Sequence, residues 1–105
     1  MTDKPRAKAV LILGSKSDEG HAKKITDKLK KQGVHYDQHI ASAHKQPRKV
    51  LDIIETYEPE TAIVFVTIAG RSNALSGFVA ASSRFPTIAC PPFKDKIDMM
   101  VNIHS

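Results

Sequence analysis

The most strand-like stretch of this chain reads TAIVFVTI over residues 61–68. It is rich in β-branched side chains and carries no charge. A strand that is apolar at almost every position is typical of the middle of a parallel sheet, where helices cover both faces. We therefore predict that residues 61–68 form a central strand.

Strand and helix patterns alternate before this segment. Residues 9–13 (AVLIL) form a second continuous apolar run, which predicts a strand buried on both faces. A helix is predicted to begin after Ser17 or Asp18 and to stop at Gly33. Evenly spaced apolar residues then predict a strand over residues 34–40.

The alternation continues toward the C-terminus. Pro47 suits the first position of a second helix, which should end at Glu58 because a following proline disfavours helical geometry. Residues 74–83 predict a helix of small residues, and residues 86–90 predict a fourth strand. Apolar residues at helical spacing are Val50, Leu51, Ile54 and Tyr57 in the second helix and Ile97, Met100 and Val101 in the tail.

This order predicts an α/β fold in which helices cover both faces of one parallel sheet. The expected architecture is a three-layer α/β/α sandwich with about four strands. With 105 residues and 41% hydrophobic composition, the chain should form one domain over residues 1–105 around a single core.

The charge balance favours anionic ligands. Sixteen Lys and Arg against eleven Asp and Glu give a formal net charge of +5, which suits a phosphorylated small molecule. The lysines of residues 23–31 are interpreted as a solvated helix face. Nucleic-acid binding is not expected, because aromatic residues make up only 6% of the chain and none interleaves with a basic stretch.

Three further features of the sequence lead us to expect a cytoplasmic protein. The longest apolar run, residues 61–69, has about nine residues, whereas a membrane-spanning helix needs roughly twenty. The N-terminal residues lack the pattern of a signal peptide. The single cysteine, Cys90, suits a reducing compartment and is interpreted as a small buried thiol.

Three polar loops follow the first three predicted strands. They read GSKSD at residues 14–18, SAHK at residues 42–45 and AGRSN at residues 69–73. Ligands of such sheets bind beyond the carboxyl ends of the strands, so the three loops predict one common site. The first loop has the amides and hydroxyls to hold a phosphate or a ribose, although Ser17 and Asp18 could merely cap the helix.

The second and third loops carry the reactive side chains. His44 can exchange protons near neutral pH beside Lys45, a cation that can meet a phosphate; the alternative is an incidental surface histidine. Arg71, Ser72 and Asn73 could bind a carboxylate or CO2, with helix capping as the alternative.

Several cofactor classes are not indicated. The glycine spacing of the first loop fits neither the dinucleotide fingerprint nor the P-loop, which argues against NAD and ATP. A metal is not expected, because His35 and His39 would lie about 13 Å apart along a strand with no Cys or carboxylate joining them. The loops also lack a Trp or Tyr to flank a flavin.

Together, the three loops and the continuation of the third through Ala74-Leu75-Ser76-Gly77 resemble the PurE family of purine biosynthesis. The resemblance covers nearly the whole chain. It implies a flavodoxin-like fold, a homo-oligomer that is an octamer in the family, and a small-molecule substrate. Family members generally continue for several tens of residues past the position of Ser105, so the resemblance implies that this chain is short at its C-terminus.

Two branches of the family differ in these loops. Ser-Ala-His-Lys at residues 42–45 and Ala-Gly-Arg-Ser-Asn at residues 69–73 resemble the branch that carboxylates aminoimidazole ribonucleotide (AIR) directly with CO2. That carboxy-lyase reaction gives 4-carboxyaminoimidazole ribonucleotide without ATP, biotin or any other cofactor. The alternatives are the mutase branch, which isomerises N5-carboxyaminoimidazole ribonucleotide, and an inactive, shortened nucleotide-binding domain.

The resemblance also implies roles for individual residues. His44 would be the catalytic proton shuttle. The substrate-binding residues would be Ser15, Ser17 and Asp18 for the ribonucleotide, Ser42 and Lys45 for its phosphate side, and Gly70, Arg71, Ser72 and Asn73 around CO2.

Overall fold

The computed structural model describes residues 7–69 and 74–91. The tail helix predicted from Ile97, Met100 and Val101 lies outside these residues. The described elements are β1 (Lys8–Leu13), a 3-10 turn (Lys16–Asp18), α1 (Glu19–Lys31), β2 (Tyr36–Ile40), α2 (Pro47–Tyr57), β3 (Ile63–Ile68), α3 (Ala74–Ser82) and β4 (Thr87–Ala89).

The four strands form one parallel sheet in the order β2-β1-β3-β4. The two most apolar strands, β1 and β3, therefore lie in the middle, as predicted. Residues 10–13 of β1 are completely buried. The polar strand β2 (YDQHI) lies at one edge and is only half-buried along most of its length.

The helices cover both faces of the sheet. On one face, Val10, Ile12 and Phe65 pack with the buried residues of α2 and α3. On the other face, Leu11 and Leu13 pack with α1. This arrangement confirms the predicted three-layer α/β/α sandwich. One large apolar side chain of β4, Ile88, remains 53% exposed.

Local sequence sets the ends of the helices. Gly33 has a φ of +72°, and its N–H and that of Val34 donate to the carbonyls of Lys30 and Leu29. These two bonds form a Schellman motif, in which glycine adopts the left-handed conformation at little cost. Pro47 occupies the first turn of α2, as predicted.

Two predicted details need correction. The buried stripe of α2 contains Ile53, whereas Leu51 is only partly buried, because the stripe follows the helical spacing 50, 53, 54 and 57. Three strands are shorter than predicted: β2 begins at Tyr36, β3 begins at Ile63, and β4 spans only Thr87–Ala89. The exposed lysines of α1 confirm the solvated face.

Arg84 joins the loop before β4 to the end of α2. Its guanidinium donates to the backbone oxygens of Glu58 and Glu60, both at 2.7 Å, and to the Glu58 carboxylate at 3.1 Å. It also lies 4.1 Å from the centroid of the Phe85 ring. The planar guanidinium fork thus satisfies the carbonyl of Glu58 at the end of α2 and that of Glu60 in the loop that follows.

Candidate functional site

Backbone hydrogen bonds bring the starts of the three loops together. The Gly14 N–H donates to the carbonyl of Ile68 and the Ala41 N–H donates to the carbonyl of Leu13, each at 2.8 Å. The first loop therefore leaves the sheet between the second and the third. A Cβ added at Gly14 would lie 3.3 Å from the Cβ of Ala69, so glycine allows the first and third loops to approach closely.

The first loop folds into the 3-10 turn that leads to α1. The Ser15 hydroxyl accepts a hydrogen bond from the Ser17 N–H at 3.0 Å and lies 2.7 Å from the Ser17 hydroxyl. Asp18 precedes α1, where a carboxylate is favoured by the helix dipole, and it is buried. Ser15 therefore supplies the side-chain cap of the 3-10 turn, whereas the Asp18 side chain makes no capping hydrogen bond to α1.

The second loop is a turn that presents His44 and Lys45 to solvent. The Ser42 hydroxyl accepts from the Lys45 N–H at 3.1 Å, and the Ser42 carbonyl accepts from the Gln46 N–H at 2.7 Å. Ala43 packs against the core and anchors the turn. His44 and Lys45 are exposed, and neither side chain bonds to another part of the described chain. Both are therefore placed to meet a ligand.

The third loop is described only at its two ends. Ala69 packs against the core at the end of β3, and α3 begins at Ala74. Four predicted site residues lie outside the described residues: Gly70, Arg71, Ser72 and Asn73. Their chain neighbours on both sides lie at the same edge of the sheet as the other two loops.

Sequence reasoning missed one contact next to this edge. His21, in the first turn of α1, has its Nε2 atom 3.1 Å from the carbonyl oxygen of Cys90, just after β4. Cys90 is half-buried rather than buried, and its burial raises the pKa of the thiol. The available signal was the spacing of His21 and Ile25, which places His21 on the side of α1 that packs on the sheet.

A second polar group, which we call the Tyr57 cluster, consists of Lys8, Asp37, His39 and Tyr57. The Tyr57 hydroxyl donates to the Asp37 carboxylate at 2.6 Å. The single proton of that hydroxyl is used on Asp37, so the hydroxyl oxygen accepts the hydrogen bond at its 2.8 Å contact with His39. Nε2 of His39 therefore carries a proton and donates it. Lys8 lies 3.5 Å from the same Asp37 oxygen. The helical spacing of α2 predicts Tyr57 only as an apolar residue, so the polar role of its hydroxyl is a new finding.

The Tyr57 cluster shifts the titration of its members. The hydrogen bond from Tyr57, with help from the positive charge of Lys8, lowers the pKa of Asp37. Burial lowers the pKa of His39 against the opposing effect of Asp37. Burial and the hydrogen bond to Asp37 raise the pKa of Tyr57. The cluster therefore holds a neutral phenol against an ionised carboxylate.

No group of three His, Cys, Asp or Glu side chains in residues 7–69 and 74–91 could hold a metal ion. None of the helices described is long and apolar enough to cross a membrane.

The family follows from comparison with known proteins. The family model described as AIR carboxylase matches residues 8–105. The chain belongs to the AIR carboxylase family. The resemblance to PurE proteins predicted from the three loops is thereby confirmed. Its implied flavodoxin-like fold is confirmed by the crystal structure of Treponema denticola PurE, which superposes with a TM-score of 0.88 and 41% sequence identity.

Relatives of this AIR carboxylase family member differ from it in length. A phosphoribosylaminoimidazole carboxylase from Archaeoglobus fulgidus is 60% identical over 89 residues, which are 85% of this chain and 49% of that protein. A bifunctional phosphoribosylaminoimidazole carboxylase/phosphoribosylaminoimidazole succinocarboxamide synthetase from Drosophila melanogaster is 38% identical over 91% of this chain and 22% of that protein. The Treponema match covers 95% of this chain and 66% of the solved chain. This chain thus spans about half the length of the Archaeoglobus relative.

Proposed function

We propose that this chain is a phosphoribosylaminoimidazole carboxylase that joins CO2 to C4 of AIR without ATP. The observation that carries the proposal is the convergence of the loops after β1, β2 and β3 at one edge of the sheet, with His44 and Lys45 exposed there. The names of the Archaeoglobus and Drosophila relatives support the direct carboxylase branch over the mutase branch.

The ribonucleotide would lie across the first two loops. Ser15, Ser17 and Asp18 are proposed to hold the ribose, and Ser42 and Lys45 the phosphate side. The Ser42 oxygen already accepts one hydrogen bond, so its own O–H is available to donate to a phosphate oxygen. The ammonium group of Lys45 adds a positive charge at the same turn.

The reaction needs a nucleophilic carbon and one base. Electron release from the exocyclic amine makes C4 of AIR attack the carbon of CO2, and one C–O π pair moves to oxygen to give a carboxylate. Neutral His44 then accepts the C4 proton, and the C–H electron pair restores the aromatic ring. Gly70, Arg71, Ser72 and Asn73 are proposed to hold CO2 and the developing carboxylate, so that positioning and charge stabilisation lower the barrier.

We further propose a compartment, a domain organisation and an assembly state for this chain. We assign it to the cytoplasm as one domain over residues 1–105, needing no cofactor. We also assign it to a homo-oligomer, an octamer as the PurE resemblance implies. Sedimentation equilibrium measures the assembly directly.

The deciding experiment mixes the purified protein with AIR and labelled bicarbonate and omits ATP. We expect label in acid-stable product, since CO2 in equilibrium with bicarbonate is the proposed substrate. A parallel reaction supplies N5-carboxyaminoimidazole ribonucleotide instead. Conversion of that compound without incorporation of label from solution identifies a mutase. Binding of AIR without either reaction identifies a nucleotide-binding domain that lacks activity.

A further inference from the structure

One side chain connects α1 to the end of β4. Nε2 of His21 lies 3.1 Å from the carbonyl oxygen of Cys90. A carbonyl oxygen only accepts hydrogen bonds, so Nε2 carries the proton and donates it. Both residues are half-buried, where a hydrogen bond is less exposed to competition from water than on an open surface.

This bond reaches across the end of the central strand β3. The Cys90 N–H donates to the carbonyl of Thr67 at 2.8 Å, and the next carbonyl of β3, that of Ile68, accepts from Gly14. His21 thus links the helix that follows the first loop to a strand on the far side of β3. The last residues of β3 are enclosed by hydrogen bonds from both neighbours.

The end of β4 depends on such a link because its packing is sparse. The strand has three residues and pairs with β3 along one edge. Ile88 and Ala89 are both exposed, although Ile88 faces the same side of the sheet as α1. Residues that bury little apolar surface gain little from the hydrophobic effect. The hydrogen bond from α1 therefore adds a third tie to Cys90, beside its backbone bond to Thr67 and its partial packing against the core on the α1 side of the sheet.

We infer that His21 is a positioning residue of the active site, which acts by holding Cys90 against the end of β3. The inference rests on the proposed function, in which the loop that begins at Ala69 receives CO2 and the first two loops receive AIR. His21 touches neither reactant. When the His21 bond is lost, Cys90 keeps only its backbone bond to Thr67 and its partial packing, so the end of β3 is held less firmly on that side and the binding of CO2 weakens more than that of AIR.

The hydrogen bond itself is tested by the reactivity of Cys90, the only thiol of the chain. In His21→Ala we expect the rate of labelling by a thiol reagent to rise about fivefold, which corresponds to the loss of about 1 kcal/mol at tenfold per 1.4 kcal/mol. The freed segment is more accessible and its thiol ionises more easily. His21→Gln, whose amide also donates at the end of a long side chain, should label like the wild type.

Two further variants complete this measurement. His35→Ala removes an exposed histidine from the turn before β2 and should leave the labelling rate unchanged. If His21→Ala fails to fold by circular dichroism, His21→Asn takes its place, because its amide is too short to reach Cys90. An unchanged labelling rate in folded His21→Ala or His21→Asn overturns the inference, as does a raised rate in His21→Gln.

Steady-state kinetics test the positioning role. We expect His21→Ala to raise the KM for CO2 about fivefold and to leave the KM for AIR at saturating CO2 unchanged. A role in stability alone would lower kcat through the folded fraction and leave both KM values unchanged, which overturns the inference. If the wild type carboxylates nothing, the proposed function and the CO2 assignment fail together, whereas the labelling result still reports the His21 bond.

Discussion

The loops and the Tyr57 cluster use the same kinds of side chain in opposite ways. In the cluster, Tyr57, Asp37 and His39 satisfy one another between β2 and the end of α2. At the loops, His44 and Lys45 are exposed and form no side-chain bond to other described residues. Polar groups that pair with each other hold the fold together, whereas polar groups held out by a rigid turn are available to a ligand. Variants in the two regions should therefore fail in different assays.

The largest effect is expected for His44→Asn. Loss of the proposed proton acceptor should lower the rate of AIR carboxylation by at least about 100-fold. The midpoint of thermal unfolding should stay near that of the wild type, since His44 is exposed. His35→Asn makes the same change in another exposed turn and should alter neither quantity. Activity within a few-fold of wild type in His44→Asn would remove His44 from the reaction.

Tyr57→Phe should produce the reverse pattern. It removes the hydroxyl that bridges Asp37 and His39 but keeps the ring in the core, so the free energy of unfolding should fall by about 1–2 kcal/mol. Urea denaturation measures the change. Tyr36→Phe, at the half-buried start of β2, is the matched control and should cost little. Equal losses in the two variants would show that the cluster adds no stability of its own.

Arg84→Ala should have a smaller effect on stability. It deletes three hydrogen bonds at the end of α2, but the side chain is 53% exposed, so we expect a loss of about 1 kcal/mol in urea denaturation. Arg84→Lys should recover only part of it, because an ammonium group lacks the planar fork. Arg48→Ala on the exposed side of α2 serves as the control. Full recovery by lysine would mean that charge alone matters.

The smallest effect is the acid sensitivity of the Tyr57 cluster. The pKa of His39 in the folded chain lies below its ordinary value of 6.5. As the pH falls below 6.5, His39 therefore binds a proton in the unfolded chain before it does so in the folded chain, and the free energy of unfolding decreases. Asp37 has a folded pKa below 3.8, so its contribution is lost only at lower pH. Urea midpoints measured against pH should show a shallower decline near pH 6 for His39→Gln. Unchanged slopes would exclude His39 as a source of the decline.

Much of the fold follows from local sequence. Gly33 and Pro47 mark helix ends through backbone geometry that neighbouring residues do not alter. The apolar runs of β1 and β3 place these strands in the middle of the sheet because only buried strands lack polar residues on both faces. The choice of Leu51 over Ile53 failed because spacing alone does not fix where the buried stripe of a helix is centred.

The convergence of the three loops was also predictable, whereas the side-chain contacts between different elements were not. Parallel strands must end at one edge, so the convergence of the loops follows from the order of elements. His21 of α1 forms a hydrogen bond with Cys90 just after β4, and Tyr57 of α2 forms one with Asp37 of β2. Spacing can place His21 on the side of α1 that packs on the sheet, but which residue each of these side chains meets depends on how the helices pack. The capping role of Ser15 depends on the exact path of the 3-10 turn.

The order β2-β1-β3-β4 also affects how the chain can acquire its structure during synthesis. Lys8 at the start of β1 pairs with Ile63, so the second edge of β1 stays open until β3 has been made. During that interval β1 presents bare backbone groups that another chain could pair with. This strand is therefore completed only after β2 and α2 have been made and β3 has followed them.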